Sequence, residues 1–234
     1  MPELLDLRGF GDELASGFAL TLGVGLGALA VALLAGLAGA ACKLSESAAL
    51  RAAGFVYTTV VRGIPELVLI IVLYYGVPTV VQDTVRLFVD GFRLDFNPVV
   101  TAILVIGMIY GAFMTEVLRG AFLAVPRGQL EAARAFGMSR ARTFWRIHMP
   151  QMWRFALPGI GNVWMVLIKA TALVSVVGLH DILFWADRAG QSLREPFKFL
   201  LAAAAGFLLI TFVSEHVFAF AERRARRGVR QVAR

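Results

Sequence analysis

Five long apolar runs alternate with short polar stretches along the chain, centred on residues 17–41, 54–81, 98–123, 151–177 and 196–221. A bilayer core takes about 20 apolar residues as helix. Each run meets that length, so the pattern predicts an all-α integral membrane protein of about five transmembrane helices. The first run is punctuated by Gly23, Gly25, Gly27, Gly36 and Gly39. Small residues let helix backbones approach closely in lipid, so this helix is expected to pack against a neighbour. The whole chain, 1–234, reads as a single transmembrane domain.

The polar stretch between the third and fourth runs, 124–150, departs from a simple connection. Its part from Glu131 to Phe136 is strongly helix-forming. Gly137 is a natural left-handed stop, and Ser139 is suited to cap a second helix leading to Pro150. Ala135, Phe136 and Met138 form an apolar knob among Arg134, Arg140, Arg142 and Arg146. Two readings follow from these residues alone: an amphipathic segment resting on lipid headgroups, or a docking surface for a soluble partner.

Composition agrees with the membrane assignment. Hydrophobic side chains make up 59% and charged ones 17%, with a mean hydropathy of +0.74. The net charge of +7 is read as loops held on the inner side rather than as nucleic-acid binding. With the N-terminus outside and the C-terminus cytoplasmic, the inside loops and tail hold sixteen of the 23 Lys and Arg residues, and the outside holds six. Arg8 and Arg93 count with the outside set; Arg227, Arg230 and Arg234 count with the tail. Residues 1–13 carry Glu3, Asp6, Asp12 and Glu13 in place of the basic start of a cleavable signal, so the first helix is expected to remain. One cysteine, Cys42, builds neither a disulfide framework nor a zinc site.

Catalytic chemistry is not expected. The chain has no GxxxxGK[ST] phosphate loop, no HExxH and no nucleophile constellation, which leaves no catalytic residue, metal ligand or cofactor to assign. The polar residues inside the apolar runs carry the remaining interest. Lys169 lies deep in the fourth, where an ionised side chain costs about 2.5 to 3.5 kcal/mol. Asn162 shares its helical face, and Thr171 and Ser175 form a second polar pair four residues apart. That face either lines a solute path or fixes packing through a paired lysine. Glu66 follows Arg62 by a turn and Glu116 precedes Arg119 by three residues, spacings that suit local ion pairs. Glu215 and His216 sit in the fifth run, where a lone histidine is read as a packing residue.

The 131–150 segment, with Glu131-Ala132-Ala133, then Gly137, then Ile147 and Pro150, resembles the EAA loop of membrane subunits of binding-protein-dependent ABC importers. Met149 stands where leucine is usual, a volume-conserving departure. Further similarities run along nearly the whole chain: Arg62-Gly63-Ile64-Pro65, Tyr74-Tyr75-Gly76, Glu116 to Gly120, Leu157-Pro158-Gly159 with Asn162, Lys169 to Ser175, and Glu195-Pro196-Phe197. They point to the polar amino acid uptake branch, most like the Q-type subunits of histidine/lysine/arginine/ornithine importers and their opine-uptake relatives.

That resemblance implies a permease subunit of the cytoplasmic membrane importing a polar amino acid or opine, with a basic one favoured. Glu131, Ala132, Ala133, Phe136, Gly137 and Arg140 would form the coupling helix that docks on an ABC ATPase dimer, which alone binds ATP. Asn162, Lys169, Thr171, Ser175 and Glu66 become candidates for the substrate path. A soluble substrate-binding protein and a second, M-type membrane subunit are the implied partners. Many relatives carry acids directly after the lysine and after the asparagine, where this chain has Ala170 and Val163. Counter-charges for a basic substrate would then come from elsewhere, which favours an unlike partner subunit. The other class, a stand-alone secondary transporter, needs internal repeats that the sequence does not show.

Overall fold

The computed structural model describes residue 7 and residues 9–89 and 95–226. The charge-bias positions Arg8, Arg93, Arg227, Arg230 and Arg234 lie outside the described residues. Helices α1 (Gly11–Leu44), α2 (Ala48–Gly63), α3 (Glu66–Arg86) and α4 (Pro98–Leu123) come first. Two short helices follow, α5 (Arg127–Ala135) and α6 (Arg140–Thr143), then α7 (Met149–Ala170), α8 (Ile182–Leu193) and α9 (Pro196–Ala225). Five helical segments are long and apolar enough to cross a membrane: α1, α3, α4, the continuous stretch Arg140–Val177, and α9.

The centre of the molecule is the parallel pair α1 and α4, in register from Gly27 beside Ile103 to Gly39 beside Thr115. A Cβ on Gly36 would lie 2.6 Å from Met114 Cγ, and one on Gly111 would lie 2.6 Å from Ala35 Cβ. Only glycine permits this approach, which is how the small-residue stripe of α1 acts in a solvent that offers no hydrophobic drive between helices. Val24, Ala28, Ala32, Ile106, Tyr110, Met114, Trp164 and Ile168 fill the seam where α7 joins the pair. Against the far side of α7 lies α9. The buried Trp164 Nε1–H donates to Ser214 Oγ at 2.8 Å, and Arg154 Nε donates to the Ala225 carbonyl at 2.8 Å.

The apolar run at 54–81 is not one helix. Pro65 has no N–H and disfavours helical geometry in the residue before it, so Ile64 is extended (φ −106°, ψ 139°) and the chain divides into α2 and α3. Tyr57 reaches the Met108 carbonyl while Arg62 lies over the ring of Phe113, so α2 runs across α4 toward the C-terminal end of α4. It is not among the helices long and apolar enough to cross the layer. The 21 residues of α3 alone span about 31 Å, close to a bilayer core of about 30 Å.

A second departure is α8, which the sequence reading left in a connection. Asp181 caps it by accepting from Phe184 N–H at 2.8 Å, and Thr21 Oγ1 of α1 accepts from Ile182 N–H at 3.2 Å. The helix closes a small core of Leu14, Ile182, Ala186, Ala189, Phe199 and Ala203. Asp181 is fully enclosed, and that burial pushes its carboxyl up to about 6 in spite of the backbone amides it accepts from. The helical connection at 182–193 caps the end of the molecule opposite the 127–148 loop.

Candidate functional site: the 127–148 loop and the open face of α7

In the loop, α5 ends as its residues predict. Gly137 adopts φ +80°, Gly137 N–H donates to the Arg134 carbonyl at 2.9 Å, and Met138 N–H donates to the Ala133 carbonyl at 3.1 Å. This is the paired hydrogen-bond pattern of a Schellman stop. Ser139 then caps α6, accepting from Arg142 N–H at 3.3 Å. The turn leaves the Phe136 ring 89% exposed, while Ala133 packs inward and Glu131, Ala132, Arg134 and Arg140 are open. Phe136 is thus an exposed aromatic ring presented on a hydrogen-bonded turn.

The loop is also tied to the helix before it. His148 is buried and stacks on Phe122 with ring centroids 4.0 Å apart, and Phe144 flanks it at 5.9 Å. Its Nε2 lies 3.2 Å from the Phe122 carbonyl, an acceptor only, so Nε2 carries the proton. Residues 144–148 form a π turn that runs directly into α7. The second helix, expected to lead to Pro150, therefore runs on past it into α7, because the widened turn accommodates the proline. The loop is thereby joined to the end of α4 through the His148 stack and to α7 through continuous backbone. His148 was absent from the sequence-based candidates. Its only signal was an aromatic-rich spacing, Phe122, Phe144 and His148, that acquires meaning when α4 and the loop meet.

On α7, Asn162 and Lys169 are seven residues apart and both exposed, with exposed Val166 between them. Among the described residues, neither side chain has a hydrogen-bond or charge partner. Val163 and Ala170 are buried within the chain, so the apolar residues there leave no gap in the open face. Thr171 departs from expectation. The helix tightens to three residues per turn over Thr171–Val177, where positions i and i+4 no longer share a face. Thr171 is completely buried and donates to the Ile168 carbonyl at 2.6 Å, whereas half-buried Ser175 donates to the Ala172 carbonyl at 2.8 Å.

The acids divide as well. Glu66 is not paired with Arg62; it accepts from Tyr110 Oη–H at 3.0 Å, and Arg62 rests on Phe113 instead. Glu116 does pair with Arg119, Nη2 to Oε2 at 3.0 Å, and also with Lys43, whose Nζ donates to Thr58 Oγ1 at 2.6 Å. That cluster fastens α1, α2 and α4 together. Glu215 and His216 are exposed on α9, and His216 Nδ1 donates to the Phe212 carbonyl of its own helix at 2.8 Å.

A bundle that crosses a membrane five times, with one open polar face and a clamped loop carrying a bare aromatic, describes the membrane component of a transport system. Residues 28–227 match the family described as binding-protein-dependent transport system inner membrane component, and the chain belongs to that family. It is 42% identical over 228 residues to the histidine/lysine/arginine/ornithine transport system permease protein HisQ of Escherichia coli (strain K12), covering 96% of this chain and 98% of that one. It is 43% identical over 223 residues to the octopine transport system permease protein OccQ of Rhizobium radiobacter, covering 95% and 94%. A crystal structure of an amino acid ABC transporter with histidines superposes with a TM-score of 0.80 at 26% identity, over 94% of this chain and 98% of that one. The inward-facing MetNI methionine transporter shares the fold, with a TM-score of 0.62 at 16% identity over 97% and 99%.

Proposed function

We propose that this chain is the non-catalytic membrane subunit of an ATP-driven importer that carries basic amino acids or opines across the cytoplasmic membrane. In this reading the N-terminus is outside, and the 127–148 loop and C-terminus are cytoplasmic. The observation that carries it is the bare Phe136 on the Schellman turn, joined through His148 to α4 and through the π turn to α7. Glu131, Ala132, Ala133, Phe136, Gly137 and Arg140 form the surface that docks on an ATPase dimer. Closure of that dimer around ATP moves the loop, and the rigid joints pass the movement to α4 and α7.

The open face of α7 with Asn162, Lys169 and Ser175 borders the solute path, and Glu66 supplies a carboxylate beside it. Thr171 supports the wall from behind. A positive side chain on the substrate needs more negative charge than Glu66 offers, with Val163 and Ala170 apolar. A second, M-type membrane subunit supplies it, which makes the pathway a heterodimer; a soluble binding protein delivers the solute. The substrates in the relatives' names, histidine, lysine, arginine and ornithine for HisQ and octopine for OccQ, support this choice.

The test is uptake of labelled arginine, histidine and octopine in cells lacking and then regaining the gene, together with ATPase co-purification on a tagged chain. Restored uptake of one of them with a co-purifying ATPase is the expected result. A tagged chain that retains no ATPase while supporting uptake would remove the coupling role.

A further inference from the structure

At the loop end of the bundle, a cavity of about 650 Å³ opens between the ends of α1 and α4 and the crossing helix α2. Its wall holds Lys43, Arg51, Arg62 and Arg119 against a single carboxylate, Glu116, with Phe55 at its edge. No residue of α5, α6 or α7 lines it, so it is separate from both the docking loop and the α7 face. Glu116 is already engaged by Lys43 and Arg119. Among the described residues, Arg51 donates to the Ser45 and Glu46 carbonyls, and Arg62 lies 5.4 Å from the Phe113 ring centre. Among the described residues, neither arginine meets a carboxylate. Two guanidinium forks facing one cavity match the oxygens of a phosphate group.

On the other side of α2 lies an apolar groove of about 630 Å³, walled by Leu34, Ala38, Cys42, Tyr57, Leu104 and Met108. Between the two, α2 exposes Phe55 and Val56, at 62% and 57%. Lys43 stands in the last turn of α1 and Arg119 about one turn before the end of α4, near the depth of lipid headgroups. A ligand that satisfies both sides of α2 carries an anionic head and aliphatic tails. We propose that this cavity and groove bind an anionic phospholipid, with its phosphate between Arg51 and Arg62 and an acyl chain laid over α2. Because α2 is fastened to α1 and α4 by the Lys43, Thr58 and Glu116 contacts, a bound lipid braces the crossing helix against the central pair.

The test uses the full-length chain, with whatever importer subunits co-elute, in phosphatidylcholine nanodiscs containing spin-labelled phosphatidylglycerol or spin-labelled phosphatidylcholine. The immobilised fraction of each label is read by electron paramagnetic resonance. The wild type should prefer phosphatidylglycerol, and Arg51→Gln with Arg62→Gln should reduce that preference by roughly fivefold per arginine. Arg51→Lys with Arg62→Lys should keep most of it. Equal immobilisation of the two lipids by the wild type overturns the proposal, and needs no variant to fold. So does a preference that survives in the double glutamine variant. Abolition by millimolar inorganic phosphate would mark a soluble-anion site, and loss on co-expression of a second membrane subunit would mark a protein interface; either sinks the lipid assignment.

Discussion

The 127–148 loop and the open face of α7 are both exposed and both contain charge, yet they are built in opposite ways. The loop is closed on itself: a Schellman stop at Gly137, a Ser139 cap and the His148 stack settle its shape with contacts this chain supplies. The α7 face is left open. Asn162 and Lys169 project with no partner among the described residues, and an unpaired lysine inside a membrane is tolerated only against water or a second protein. Under the proposed function the difference has a reason: a part that transmits force must be rigid before its partner arrives, whereas a solute path shared between two subunits is completed only when the other half is present.

Gly137→Pro should break this contrast most severely. Proline can neither adopt φ +80° nor donate to Arg134, at a local cost of about 3 kcal/mol. Uptake should fall to background and ATPase co-purification should drop, while the chain still reaches the membrane. Phe136→Ser is next. It leaves folding within about 0.5 kcal/mol because the ring touches little of its own chain, but should weaken ATPase retention by about 2 kcal/mol, measured by pull-down titration. Unchanged retention would place the docking surface elsewhere.

Lys169→Met tests the other region and should separate from both. Uptake should fall roughly tenfold through loss of a charged contact, with ATPase co-purification untouched and thermal stability equal or higher, since a lone charge leaves the bilayer. A loss of stability would show that Lys169 is a packing residue. Asp181→Asn should have the smallest effect on uptake. Burial raises this carboxyl from 3.8 to about 6, so the folded state holds its proton more tightly than the unfolded chain. Its stabilising contribution is full below pH 3.8 and is lost as pH rises through about 6. The wild type should therefore melt at a higher temperature at pH 5 than at pH 8, and Asp181→Asn, which keeps an oxygen for the cap, should flatten that difference.

Local chemistry explains why the loop was legible before the fold was known. Gly137 and Ser139 act on neighbours within four residues, so residue type and spacing were enough to place the stop and the cap. The Glu116 and Arg119 pair was legible for the same reason. Contacts of long sequence separation were not: Lys43 with Glu116, Tyr110 with Glu66, and His148 with Phe122 join residues that only the packing of α1, α3, α4 and the loop brings together. Backbone detail decided the rest of the misreadings. The extended Ile64 before Pro65 turned one apolar run into α2 and α3, and the tightened turn at Thr171–Val177 rotated Thr171 away from Ser175.

The residue pattern by itself determined that this is a membrane bundle, where most of its spans lie, and that the stretch 131–150 forms a helix, a left-handed turn and a second helix. Those features follow from side-chain hydrophobicity and hydrogen bonds that close within a turn or two. Tertiary structure alone decided that α2 lies across the bundle, that α8 closes one end, that His148 joins the loop to α4, and which polar residues of α7 remain open. Each of these depends on where distant segments meet, and in lipid that is set by which helices have backbones bare enough to approach.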